Sequence, residues 1–115
     1  MAQRHVLALD LADDPGLIAQ YRDWHRPGGP PPAVMESLRT AGITEMEIFL
    51  AGNRLVMILL AEDEFSFTAL AASNAGNADV QAWEQLMWTF QRALPWAKAD
   101  EKWIAMERIF ALSEQ

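Results

Sequence analysis

Glu45-Met46-Glu47-Ile48-Phe49-Leu50-Ala51-Gly52-Asn53-Arg54-Leu55-Val56-Met57-Ile58-Leu59-Leu60-Ala61 holds two strands and the turn between them. Glu45 to Leu50 partly alternates, as a half-buried strand does. Ala51-Gly52-Asn53-Arg54 is a turn signal. Leu55 to Ala61 is apolar without interruption, which suits a central strand covered on both faces. The two runs read together as a β-hairpin.

Working outward, Val6 to Leu11 is a short apolar run closed by Asp13-Asp14-Pro15-Gly16, and reads as a buried strand. Asp13 or Asp14 followed by Pro15 starts a helix, since the side chain caps and proline lacks only an N–H that would go unused. That helix runs to His25, with Leu17, Ile18, Tyr21 and Trp24 on its apolar face. Arg26-Pro27-Gly28-Gly29-Pro30-Pro31-Pro32 is a loop. A short helix follows over 33–41, with Gly42 at its left-handed stop. Beyond the hairpin, Glu62-Asp63-Glu64 is an acidic exit and Phe65 to Ala72 a helix, broken by Asn74-Ala75-Gly76-Asn77. Val80, Trp83, Leu86, Met87, Phe90 and Leu94 keep helical spacing up to Pro95. Trp103 to Leu112 reads as the closing strand. The order is the split βαβ pattern of an α+β, ferredoxin-like fold: an antiparallel sheet with helices on one face. Its other face needs a cover. With 5 Trp, 5 Phe and 6 Met in the chain, the expectation is a homodimer of face-to-face sheets, a dimeric α/β barrel.

The 115 residues suit one domain spanning 1–115. Asp plus Glu outnumber Lys plus Arg by 16 to 9, a net charge of −7, which speaks against nucleic acid or an anionic membrane as partner. The absence of Cys removes disulfides, thiolate metal sites and thiol nucleophiles. Met1 to His5 leads into no apolar segment of signal-peptide length, and no run is long enough to span a bilayer, so a cytoplasmic protein is expected.

No phosphate loop, dinucleotide fingerprint, HExxH or GxSxG is present. His5 and His25 are the only histidines, too few and too far apart to suggest a metal site. Tyr21 and His25 are four apart and so share a face at the end of the first helix. There the helix terminus raises the pKa of a histidine and an apolar pocket lowers it. The ordinary reading is a half-exposed His beside a core Tyr. Trp83 and Trp88 on the long helix are core residues or a platform for the C–H face of a sugar. Glu45, Glu47 and Glu107 fall on strands, where they are a solvated face or carboxylates for sugar hydroxyls.

The chain resembles the L-rhamnose mutarotase family. The similarity is carried by Tyr21-x-x-x-His25, by Ala41-Gly42-Ile43 leading into Met46-Glu47-Ile48-Phe49, and by Asn53-Arg54-Leu55 and Met57. It continues through Val80 to Met87 and Met106-Glu107-Arg108-Ile109-Phe110. Ala93 to Lys98 and Glu101-Lys102-Trp103 look like the branch labelled L-fucose mutarotases. The resemblance implies a dimeric ferredoxin-like barrel that interconverts the α and β anomers of a 6-deoxy-L-sugar, L-fucose before L-rhamnose, without metal or cofactor. It implies that His25 is the acid/base and that Tyr21 contacts the sugar. A family Trp pair falls on Trp83 and Glu84, and a second contacting Tyr falls on Met46. After the His, the family carries a shorter stretch containing a Trp; here it is the Pro/Gly loop. Glu45, Glu47 or a water is the expected second proton carrier. Competing readings are another small barrel enzyme, such as a monooxygenase, and a ligand-binding protein without catalysis.

Overall fold

A computed structural model describes residues 2–115; Met1, where the N-terminal reading begins, lies outside them. The elements run β1 (Gln3–Leu11), α1 (Pro15–Trp24), α2 (Pro32–Thr40), β2 (Ile43–Ala51), β3 (Arg54–Ala61), α3 (Phe67–Ala75), α4 (Ala78–Trp88), β4 (Gln91–Arg92) and β5 (Ile104–Ala105), then a short 3₁₀ turn. The strand order is β2-β3-β1-β4, with β5 also on β1, and every pairing is antiparallel. This is the ferredoxin-like order expected from the sequence.

The hairpin closes through Gly52-Asn53, with Gly52 at φ 59°, a value that a type II′ turn reserves for glycine. Asn53 then ties the turn to β1: its Nδ2 donates to Leu11 O at 3.1 Å, and its carbonyl accepts from Leu11 N at 2.7 Å. Asp14 caps α1 by accepting from Leu17 N at 3.0 Å, with Pro15 as the first helical residue. Asn77 caps α4 in the same way.

Alternation along the strands fills one side of the sheet. Leu7, Leu9 and Leu11 on β1 and Leu55, Met57, Leu59 and Ala61 on β3 are buried toward the helices. Burying each leucine contributes about 1.5–3 kcal/mol. Tyr21 from α1, Val34 from α2 and Val80, Trp83 and Met87 from α4 complete one core cluster with Leu11, Leu55 and Phe90.

Three expectations change. The long helix does not reach Leu94: it stops at Trp88, and Gln91-Arg92 pair with Leu11 and Asp10. The free edge of β1 offers backbone partners there, and Phe90 and Leu94 are buried from a turn and a loop, not from a helix. The closing strand over 103–112 shrinks to Ile104–Ala105, extended by one bond from Met106 N to Val6 O. Its register would continue Glu107, Arg108 and Ile109 opposite His5, Arg4 and Gln3, but the pairing stops at Met106. Ile109, Phe110 and Leu112 are 88%, 64% and 78% exposed. The helix expected over 65–72 lies at Phe67–Ala75 instead, capped by Ser66, whose Oγ accepts from Ala69 N.

Candidate active site

His25 stands at the C-terminal end of α1, one turn past Tyr21, and the two rings lie 4.2 Å apart between centroids. Its Nδ1 is 2.7 Å from the Tyr21 carbonyl. A carbonyl oxygen only accepts, so Nδ1 carries the proton and Nε2 keeps its lone pair. Burial pushes the His25 pKa below its ordinary value, against the smaller opposing pull of the Tyr21 carbonyl. At neutral pH this imidazole is a neutral base. Burial also pushes the Tyr21 phenol up to about 12; the Gln91 amide opposes the rise and the Glu84 carboxylate adds to it. Tyr21 is therefore a fixed hydrogen-bond donor across the physiological range.

These two side chains face a cavity between the sheet and the helices. An inner chamber of about 130 Å³ is lined by Tyr21, His25, Trp83, Glu84, Gln91, Lys102 and Trp103, with Met46 and Ile48 from β2 and Val34, Met35 and Leu38 from α2. An outer cleft of about 440 Å³ shares His25, Pro30, Met35, Leu38, Met46 and Ile48 with it, and adds Arg39, Thr44 and Glu45. His25 thus lines both spaces. The Pro/Gly loop forms part of the rim through Pro30. It folds back onto α1, with Gly29 N donating to Arg26 O at 2.7 Å. A Cβ at Gly29 would meet the Trp24 carbonyl oxygen at 2.3 Å, so this turn admits only glycine.

Trp83 walls the chamber, 5.7 Å from the His25 ring and edge-on to Trp24 at 5.9 Å. The neighbouring Glu84 pairs with Lys102, which arrives from the loop before β5 and sits over the Trp88 ring at 4.7 Å. Gln91, on β4, is 3% exposed, and its Nε2 donates to the Tyr21 hydroxyl at 3.1 Å.

Tyr21, His25, Met46, Trp83 and Glu84 are thus brought to one chamber from three elements of the fold. Glu45 lines only the outer cleft, where its carboxylate accepts from Met46 N. Glu47 points to the opposite side of the sheet and Glu107 lies on the exposed tail, so neither lines the cavity. Trp88 touches Lys102 from outside. His5 is occupied elsewhere, with Gln3 at 2.8 Å and edge-on to Phe67 at 4.8 Å. Among the described residues no group of three or more His, Asp and Glu is gathered to hold a metal ion. The sequence reading missed Gln91 and Lys102. Gln91 lies in a stretch read as helix and Lys102 ends a run of charged residues, so neither is set apart from its neighbours. A neutral His base, a protonated Tyr and a carboxylate beside an aromatic wall can move a proton and bind hydroxyl groups.

The profile of a family described as L-rhamnose mutarotase matches residues 4–112. The chain is 53% identical over 112 residues to the L-fucose mutarotase of Xanthomonas campestris pv. campestris, an alignment covering 97% of this chain and 90% of that one. The crystal structure of L-rhamnose mutarotase from Formosa agariphila superposes with a TM-score of 0.68 at 19% identity, covering 96% of this chain and 98% of that one. At that identity the last likeness is one of fold.

Proposed function

The chain belongs to the L-rhamnose mutarotase family, and on that premise we propose that it is an aldose mutarotase interconverting the α and β anomers of a 6-deoxy-L-sugar, L-fucose before L-rhamnose. The observation that carries the reading is His25, a neutral imidazole with Nε2 unprotonated in a chamber whose other walls supply Tyr21, Trp83 and Glu84.

Mutarotation needs one proton removed from the anomeric hydroxyl and one delivered to the ring oxygen. The C1–O5 bond then breaks, the aldehyde turns about C1–C2, and the ring recloses on the other face. Both oxygens are bonded to C1, so a single nitrogen can serve both: Nε2 takes the hydroxyl proton and returns it to the ring oxygen. Protons and electrons balance within the sugar and His25, and no metal, redox partner or covalent nucleophile enters the step. Tyr21, held protonated, donates a hydrogen bond that orients the sugar. Trp83 packs against its C–H face, to which the 6-methyl adds apolar area. Met46 and Ile48 continue that apolar wall. Glu84, braced by Lys102, is nearer the chamber than Glu45 and is the better second group for sugar hydroxyls. The reaction already proceeds unaided in water, so the roughly 10²–10⁴-fold typical of one general acid/base makes a useful catalyst.

We also propose that the working unit is a homodimer. Val6, Ala8, Val56, Ile58, Leu60 and Phe49 fall on the sheet face away from the helices, and Phe49 is 52% exposed. Two such faces set together would complete the barrel and bury this surface. Among the described residues no helix is long and apolar enough to cross a membrane.

Saturation transfer between the α and β anomeric protons of L-fucose and of L-rhamnose, with and without protein, tests the reading. Faster exchange of either supports it and sets the preference; unchanged exchange of both contradicts it.

A further inference from the structure

Two buried side-chain oxygens have no hydrogen-bond partner among the described residues: Asn74 Oδ1 and Gln91 Oε1. Both residues line the inner chamber. Gln91 is the more informative. Its neighbours Phe90 and Leu94 are core residues, and Gln91, 3% exposed, is as deeply buried as they are. A leucine or methionine would fill the same space without stranding an acceptor, and an unmet buried acceptor is costly. A buried amide that breaks the packing logic of its surroundings is a sign of a site.

The other half of the amide gives that acceptor a meaning. Nε2 donates to the Tyr21 hydroxyl oxygen at 3.1 Å. The phenol oxygen thus receives a hydrogen from Gln91, so its own proton is directed elsewhere, and the chamber is the open direction. An acceptor on Gln91 and a donor on Tyr21 are set side by side. A secondary alcohol is both donor and acceptor: one such hydroxyl can give its hydrogen to Gln91 Oε1 while its oxygen receives the Tyr21 proton. A hydrocarbon or an ether satisfies at most one of the two.

We propose that Gln91 is a sugar-binding and specificity-determining residue, which with Tyr21 grips a single non-anomeric hydroxyl of the substrate. This rests on the mutarotase reading above and adds to it the group that recognises hydroxyl configuration. L-fucose and L-rhamnose differ in the configuration of their C2 and C4 hydroxyls, and a site built to pair one of these rejects a sugar that places it wrongly.

The test compares the wild-type protein with Gln91→Met in anomeric exchange of L-fucose and L-rhamnose and of their 2-, 3- and 4-deoxy analogues. Gln91→Met keeps the length of the side chain and removes both polar atoms. It is expected to remain folded and to raise KM for the preferred sugar about tenfold, the loss of one hydrogen bond, with kcat little changed. One deoxy analogue should show the raised KM already with the wild-type protein and no further rise with the variant; the other two should follow the parent sugar. A variant with unchanged KM, or one that raises KM equally for all three analogues, overturns the assignment. Should Gln91→Met not fold, the analogue series on the wild-type protein still decides: three analogues that all match the parent sugar overturn it. A wild-type protein that speeds neither sugar refutes the mutarotase reading and this inference with it, whereas an active wild type without a matching hydroxyl refutes this inference alone.

Discussion

The two faces of this sheet are built from the same kinds of residue and treated in opposite ways. Leu7, Leu11, Leu55 and Met57 lie under the helices, and there the apolar core opens into a chamber holding His25, Tyr21, Glu84, Gln91 and Lys102. On the other side Val56, Ile58 and Leu60 are only half covered, Phe49 is exposed, and Glu47, the charged side chain opposite Ile58, is itself exposed to water. The helical face gives up packing to hold titratable groups at set distances. The open face gives up nothing and lacks only a cover. Polar groups inside a core point to chemistry, whereas apolar groups outside it point to a surface awaiting another surface.

Changing the chamber without touching the open face has the largest expected effect. His25→Ala should lower anomeric exchange about 10²–10⁴-fold while the protein keeps its fold and its association state, read by saturation transfer and circular dichroism. Retained exchange in the folded variant would detach the chemistry from the chamber. The converse change is Ile58→Glu, which places a charge at the centre of the open face. It should weaken self-association about 100-fold by sedimentation and leave the folded chain intact. Association as strong as wild type would mean that this face is not the interface.

Acid acts on the chamber alone and more gently. The working form proposed for His25 is the neutral one, and burial holds its pKa below 6.5. Exchange should therefore fall with acid only as pH drops through a value below the ordinary histidine pKa, about tenfold per unit beyond it. Stability follows the same sign: the folded state binds this proton less readily than the unfolded chain. The contribution is thus complete above 6.5 and is lost as pH falls through the folded value. An acid limb centred at or above 6.5 would contradict the buried neutral base. The smallest effect is expected at Asp14, which caps α1 far from the chamber end of that helix. Asp14→Ala should cost about 1 kcal/mol in denaturant unfolding and leave exchange unchanged.

The elements that were legible had their own punctuation. Asp14-Pro15 starts α1, Gly52-Asn53 turns the hairpin, and the apolar run over 55–61 is a central strand, because each rests on local sterics and burial. The failures came where apolar spacing outlasts its element. Phe90 and Leu94 keep helical spacing beyond Trp88 and are buried for another reason, since Gln91-Arg92 meets the free edge of β1. Trp103 to Leu112 is apolar enough for a strand, yet its pairing with β1 ends at Met106 and Ile109 is left 88% exposed. At the site, Tyr21 and His25 were legible because helical spacing puts them on one face. Trp83 was legible as an aromatic on the long helix, core residue or sugar platform, whereas Met46 and Glu84 came only through family resemblance. Gln91 carried no signal, because its significance is an unmet oxygen, and that exists only once the chain has folded around it.

The central claim is that His25 waits in the chamber as a neutral imidazole with Nε2 bare. Nitrogen-15 NMR of the imidazole, resolved from His5 by a His5→Gln variant and titrated with pH and with L-fucose, reads this directly. The expected result is a proton on Nδ1, a pKa under 6.5, and an Nε2 resonance that moves when the sugar is added. A proton on Nε2 at neutral pH, a pKa of 6.5 or higher, or an Nε2 resonance indifferent to the sugar would contradict it.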